Sequence, residues 1–176
     1  VNPNPTVTIQ TSRPPAILPT QTVNLIAVVT PGGGTYQWFK NNVAIPGSTG
    51  SGNALLNLTV DDAGTYRVRY TDPNGCVSTS ADVVVSALAS PGLWVFPNPN
   101  QGTFNVRYYN QTGEKTTVKV YNLLGQEVYS QSLPLGISYS TITVNLYRQP
   151  AGTYIVKVLN GNNVEIASRR IIVYHP

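Results

Sequence analysis

Apolar residues recur at every second position through most of this chain. The first half shows it in Val23-Leu25-Ala27, Tyr36-Trp38, Leu56-Leu58-Val60, Tyr66-Val68-Tyr70 and Val83-Val85. The second half shows it in Phe104-Val106-Tyr108, Val118-Val120, Ile142-Val144-Leu146 and Tyr154-Val156-Val158. A period of two places successive side chains on opposite faces, and so predicts strands with one face buried and one in water. Turn signals separate the runs: Pro31-Gly32-Gly33-Gly34, Asn41-Asn42, Pro46-Gly47-Ser48, Asp61-Asp62-Ala63-Gly64, Asp72-Pro73-Asn74-Gly75, Leu123-Leu124-Gly125-Gln126 and Asn160-Gly161-Asn162. No stretch carries a helical period. In the second half, strands are expected near 93–96, 103–109, 116–122, 126–132, 139–146, 153–159 and 163–173.

This spacing of short strands predicts an all-β chain of two consecutive antiparallel β-sandwich domains, residues 1–88 and 93–176, joined by the linker Ala89-Ser90-Pro91-Gly92. The segment Phe96-Pro97-Asn98-Pro99-Asn100-Gln101-Gly102-Thr103-Phe104 opens the second domain. Pro97 and Pro99 lock φ and remove backbone donors, which bars them from a central strand, and Gly102 allows a tight approach before the next strand. With 176 residues, each domain is large enough for a seven-strand core but leaves no room for a large enzyme cleft. No apolar run approaches the ~20 residues of a membrane helix. The absence of methionine and of a charged-then-apolar leader reads as an internal or C-terminal piece of a processed protein. A single cysteine, Cys76, excludes an internal disulfide framework and is expected to be a small hairpin residue.

Charge changes the picture only in the second half. Up to residue 90, Arg13, Lys40, Arg67 and Arg69 balance Asp61, Asp62, Asp72 and Asp82. Beyond it, seven basic residues face Glu114, Glu127 and Glu165 and hold the whole net charge of +4. These cations alternate with apolar residues, as the solvent face of a strand requires. The excess is modest and follows no nucleic-acid-binding motif, so no nucleic acid is expected as a partner.

Asp62-Ala63-Gly64-Thr65-Tyr66 resembles the tyrosine corner of immunoglobulin-like domains, and Trp38 falls where such domains keep a core tryptophan on the third strand. The resemblance implies an immunoglobulin-like core built on Trp38, Asp62, Gly64 and Tyr66. Its two inter-sheet cysteine positions fall near Ala27 and Val68, so packing alone is expected to hold the sandwich. The default role for such a domain is a spacer or interaction module.

Chemistry is sparse. His175 is the only histidine and Cys76 lies about a hundred residues before it, so no nucleophile, base and orienting group can be assembled. Asp61 and Asp62 belong to the corner turn and lack the alternating oxygen ligands that calcium needs. No catalytic residue, cofactor or metal is expected. Asn57-Leu58-Thr59 and Asn110-Gln111-Thr112 match glycosylation acceptors, a pattern that also arises by chance.

In the second half, four motifs stand in order: Pro97-Asn98-Pro99 with Gly102 and Phe104; Val118-Lys119-Val120-Tyr121-Asn122 with Gly125 and Val128; Pro150-Ala151-Gly152-Thr153-Tyr154-Ile155-Val156-Lys157-Val158; and Arg169-Arg170-Ile171-Ile172-Val173. Together they resemble the type A C-terminal sorting domain of proteins exported by the bacterial type IX secretion system. The resemblance implies a secreted or cell-surface protein that passes through the periplasm of a didermal bacterium. It implies as partners an outer-membrane translocon with shuttle and peptidase components, release or attachment of the cargo to anionic lipopolysaccharide, and a monomer. Recognition is expected to rest on Pro97, Asn98, Pro99, Gly102, Gly125, Gly152, Arg169, Arg170, Ile171, Ile172 and Val173, with the terminal strand offering a free edge for β-augmentation. Any enzymatic activity is expected to lie in an upstream cargo. The rival reading is a surface adhesion or carbohydrate-binding module, for which Tyr109, Tyr121, Tyr129 and Tyr147 are the candidate exposed rings.

Overall fold

The computed structural model describes residues 4–30, 32–50, 52–110 and 114–175. Pro31 of the first turn, Gln111 and Thr112 of the second acceptor triplet and Pro176 of the tail lie outside the described residues. The chain divides into two compact units, Val1–Leu88 and Ala89–Pro176.

The first unit runs β1 (Thr6–Thr11), β2 (Ala16–Ile17), β3 (Val23–Thr30), β4 (Thr35–Lys40), β5 (Val43–Gly50), β6 (Ala54–Leu58), a 3₁₀ turn (Val60–Asp62), β7 (Gly64–Thr71), β8 (Val77–Thr79) and β9 (Val83–Ala87). One sheet has the order β1-β3-β6 and the other β2-β9-β7-β4-β5, with β8 paired to β7. This is the immunoglobulin-like arrangement, in which the first strand leaves one sheet and a short following strand joins the edge of the other. Val23, Leu25, Ala27, Trp38, Tyr66, Val68 and Val85 are buried between the sheets. Trp38 lies opposite Val68 in register, so the tryptophan fills the centre where the inter-sheet bond of related domains would stand.

The corner forms as the sequence implies. Tyr66 is buried and its hydroxyl donates to the Asp62 carbonyl at 2.5 Å. Thr59 and Asp62 close a capping box around the turn, with the Asp62 carboxylate accepting from the Thr59 N–H at 2.9 Å. One alternation is overturned. Asn57 adopts φ +57°, which turns the strand over, so Leu55 pairs with Leu25 while Leu56 is 61% exposed. Val60 is buried, but it belongs to the 3₁₀ turn and not to a strand. Tyr36, expected in the core, is half-buried and leans on Tyr70 with ring centroids 5.2 Å apart.

The second unit contains β10 (Leu93–Phe96), β11 (Thr103–Tyr109), β12 (Thr117–Asn122), β13 (Glu127–Ser132), β14 (Tyr139–Asn145), β15 (Gly152–Leu159) and β16 (Glu165–Val173). Its sheets have the orders β10-β11-β14 and β13-β12-β15-β16. Its seven strands repeat the order of seven of the first unit's nine: β10, β11 and β14 stand as β1, β3 and β6 do, and β13-β12-β15-β16 as β5-β4-β7-β9. Phe104, Val106, Val118, Val120, Ile142, Val144, Leu146, Tyr154, Val156, Val158, Ile171 and Val173 join Leu93, Val95 and Leu133 in one buried cluster. Tyr108, expected in the core, is half-buried and packs against that cluster from its margin.

The repetition is visible in four residues. Ala63-Gly64-Thr65-Tyr66 opens β7 and Ala151-Gly152-Thr153-Tyr154 opens β15. Each tyrosine reaches back four residues, Tyr66 to Asp62 and Tyr154 to the Pro150 carbonyl at 2.6 Å. Val156, two residues beyond its corner, faces Val120 as Val68 faces Trp38.

Candidate functional site

The segment between β10 and β11 crosses from one sheet to the edge of the other. The Phe96–Pro97 and Asn98–Pro99 peptides are cis, and Asn100 makes a parallel bridge to Val173 of β16. In the first unit β2 does the same with backbone alone, pairing in parallel with β9. In the second unit side chains carry part of the pairing, because proline has no N–H to give. The Asn98 amide acts as a substitute peptide group: its Nδ2 donates to the Arg170 carbonyl at 3.3 Å, and its Oδ1 accepts from the Ile172 N–H at 2.9 Å. Asn100 N–H donates to the Ile172 carbonyl at 3.0 Å, and the Tyr174 N–H donates to the Asn100 carbonyl at 2.9 Å. The Asn100 side chain is buried, with Oδ1 accepting from the Gly102 N–H at 2.8 Å.

Two elements more than seventy residues apart therefore form one structure. It also corrects the expected free edge. β16 is an edge strand, yet its outer backbone from Arg170 to Tyr174 is occupied by Asn98 and Asn100. His175 donates from Nε2 to the Gln149 carbonyl (2.9 Å) and lies edge-on to Tyr147. Arg169 points along the core-facing side of β16 and reaches the Leu93 carbonyl of β10 at 3.3 Å, tying the two sheets at their open edge. Ile171 and Val173 are core residues; Arg170 and Ile172 face outward.

The remaining motifs come to the same end of the sandwich. Asn122 lies opposite Tyr154, Gly152 opposite Val173, and the Leu146 N–H donates to the Gly102 carbonyl at 2.6 Å. This one pole carries the Pro97–Gly102 crossing, the Asn122–Gly125 hairpin tip, the Leu146–Gly152 loop and the C-terminal residues. It is strongly apolar for an exposed surface: Leu123 is 72% exposed, Leu124 85% and Tyr147 72%, with Phe96 and Tyr174 partly exposed as well. A shallow groove of about 850 Å³ runs among Pro97, Pro99, Asn100, Tyr147, Tyr174 and His175.

The three glycines among the expected recognition residues differ in what they do. Gly102 has φ +92°, and a Cβ there would lie 2.9 Å from Cα and 3.0 Å from N of Tyr147, so both conformation and space require glycine. Gly125 has φ +77° but opens to solvent. Gly152 has neither a positive φ nor a close neighbour. Asn122 holds the Gly125 turn by accepting from the Leu124 and Gln126 N–H groups, both at 3.0 Å. Asp72 and Asn160 hold the Asp72–Cys76 and Asn160–Val164 turns in the same way, which places Cys76 in a hairpin as expected.

The charged face of the β13-β12-β15-β16 sheet is internally paired. Lys119 meets Glu127 at 2.9 Å and Lys157 meets Glu165 at 2.8 Å, with Lys157 also above the Tyr121 ring. Hydrogen bonds from Lys157 and then Ser168 hold the Glu165 carboxyl below its ordinary range. Of the other candidate rings, Tyr129 bonds to Gln131 and Tyr109 packs on Tyr139, so the four tyrosines make no flat row. Among the described residues, no three His, Cys, Asp or Glu side chains stand close enough to hold a metal ion. Among the described residues, no helix is long and apolar enough to cross a membrane.

Likeness to solved structures is distant. The three N-terminal domains of the bacteriophage RB49 Highly Immunogenic Outer Capsid protein are 17% identical over 97% of this chain and 59% of theirs, with a TM-score of 0.41, so this chain spans under two thirds of that protein's length. The human OSCAR ligand-binding domain is 17% identical over 96% of this chain and 95% of its own, with a TM-score of 0.36. Murine CEACAM1b is 19% identical over 97% of this chain and 100% of its own, with a TM-score of 0.35. No curated protein matches the chain. The match that bears on identity is to a family: residues 94–174 fit the secretion system C-terminal sorting domain, and the second unit is a member of that family.

Proposed function

We propose that this chain is the spacer and the address of a type IX cargo, and that the export machinery reads the address at the apolar pole of the second unit. A sorting domain marks a secreted protein and engages the secretion machinery. The finer reading rests on one observation. The Pro97–Gly102 crossing, the Gly125 hairpin tip, the Gly152 corner and the end of β16, four elements scattered through the sequence, meet at one end and leave Leu123, Leu124 and Tyr147 in solvent. Exposed leucines at a hairpin tip contribute nothing to the core, and their burial against a receptor would release about 1.5–3 kcal/mol each. The partners on this reading are the outer-membrane translocon with its shuttle and peptidase, and the cargo is then released or joined to anionic lipopolysaccharide. The chain itself acts as a monomer without catalysis, and the first unit holds the cargo away from the machinery.

The test is export of a fluorescent periplasmic passenger carrying the full chain in a type IX-competent host. Leu123→Ser with Leu124→Ser, and separately Tyr147→Ser, are expected to lower surface or medium fluorescence at least tenfold. Val164→Ser, at the opposite end and also exposed, is the control and leaves export unchanged. Full export by both pole variants would show that recognition lies elsewhere.

A further inference from the structure

We infer that the outward face of the β4–β7 pair in the first unit is a binding site for a carboxylated polysaccharide, a polymer of hexuronate sugars. The core of the site is a ring shared by two cations: the guanidinium carbons of Arg67 and Arg69 lie 5.6 and 5.7 Å from the centroid of Phe39. Register sets Phe39 opposite Arg67, Gln37 opposite Arg69 and Thr35 opposite Thr71, so alternation brings all of them to one face. The other face of the same strands carries buried Trp38, Tyr66, Val68 and Tyr70, so this face is the one left to solvent.

The charge on it is uncompensated. Among the described residues neither Arg67 nor Arg69 has a carboxylate partner, in contrast to Lys119 and Lys157 of the second unit. The nearby acids are committed elsewhere: Asp62 to the capping box, Asp72 to the N–H groups of Asn74 and Cys76. A guanidinium resting on an aromatic ring keeps its N–H edge free for a planar carboxylate. Beside Arg69 lies a depression of about 300 Å³ lined by Thr35, Gln37, Gly50 and Thr71. Threonine hydroxyls there match the hydroxyls of a pyranose, Phe39 holds the two guanidinium groups in place, and the two arginines take carboxylates.

Charge balance selects among anions. The first unit has four basic and four acidic residues, so it lacks the extended positive field through which a phosphate polymer binds. An acidic peptide can also be held by paired arginines, but the threonine-lined depression beside Arg69 on this flat sheet face favours a polyhydroxylated chain, and poly-glutamate separates the two in the test.

Affinity electrophoresis of the full chain through gels containing polygalacturonate tests this at about 150 mM salt, a concentration that damps nonspecific attraction. Retardation by polygalacturonate and none by dextran is expected. Arg69→Gln and Arg67→Gln are each expected to weaken it at least tenfold and Phe39→Leu at least threefold, with urea midpoints recorded to show that the variants fold. Arg148→Gln, in the second unit, leaves it unchanged. Absence of retardation, equal retardation by poly-glutamate, or a loss in Arg148→Gln matching that in Arg69→Gln would overturn the inference.

Discussion

Replacing Asn98 by alanine removes two hydrogen bonds that no other side chain can supply. The amide accepts from the Ile172 N–H at 2.9 Å and donates to the Arg170 carbonyl at 3.3 Å, at an exposed position. Each such bond contributes about 0.5–1.5 kcal/mol net, and both freed backbone groups can be rehydrated, so no buried orphan adds to the cost. Exposed bonds lie in the lower part of that range, about 0.5–1 kcal/mol each, so the loss is roughly 1–2 kcal/mol, or about a 5–30-fold increase in the opening of the end of β16. Amide hydrogen exchange resolves this residue by residue. The Ile172 amide, whose partner is removed, is expected to exchange about 5–30-fold faster in Asn98→Ala. The amides of Val118 and Val156, at the centre of the same sheet, are expected to change little, because they lie between paired strands. An unchanged Ile172 amide, or uniform acceleration throughout the sheet, would refute the view that Asn98 is a local latch on the terminal strand.

The glycines separate conformation from space: Gly102→Ala is expected to destabilise the second unit by about 2–4 kcal/mol, Gly125→Ala by about 1–2 and Gly152→Ala by under about 0.5, read from urea midpoints. Equal costs at all three would contradict the geometry at Tyr147. Tyr66→Phe and Tyr154→Phe each remove one corner bond and are expected to lose about 1–2 kcal/mol, with each substitution affecting its own unit in exchange measurements. The Tyr66 hydroxyl is pushed up to about 12 by burial and then by Asp62, and that of Tyr139 to about 12 by burial and then by Tyr109. The unfolded chain ionises these groups near pH 10, so between pH 10 and 12 the folded state holds the protons longer. Stability that is full below about pH 10 is therefore expected to fall as pH rises through that window, with a shallower fall in Tyr66→Phe; a flat melting temperature across it would contradict their burial.

Most strands were legible because a period of two is a direct imprint of a sheet with one wet face. The reading failed where a single residue reversed the phase. Nothing in Leu55-Leu56-Asn57-Leu58 announces that Asn57 takes φ +57°, and the inward residue becomes Leu55 in place of Leu56. Tyr36 and Tyr108 sit at sheet margins, where alternation specifies direction but not depth. The sequence also carries a sign of the duplication: the repeated Ala-Gly-Thr-Tyr opens the same strand of two sandwiches with the same order. The latch itself was beyond reach, since the pairing of Asn98 with Arg170 and Ile172 spans most of the second unit and depends on a crossing that prolines only permit. For the same reason the terminal strand reads as a free edge in sequence and as a half-covered one in the fold. Arg67 and Arg69 look like ordinary solvated strand positions in sequence, and only the fold brings both over the Phe39 ring.

That the second unit is the address is tested most directly by moving it. A fluorescent passenger held in the periplasm of a type IX-competent host is fused to residues 1–176 or to residues 1–88, and its location is followed by surface labelling and fractionation. The passenger with residues 1–176 is expected to reach the surface or the medium, and that with residues 1–88 to stay in the periplasm. Retention of both, while an established sorting domain exports the same passenger, or export by residues 1–88 alone, would contradict the account.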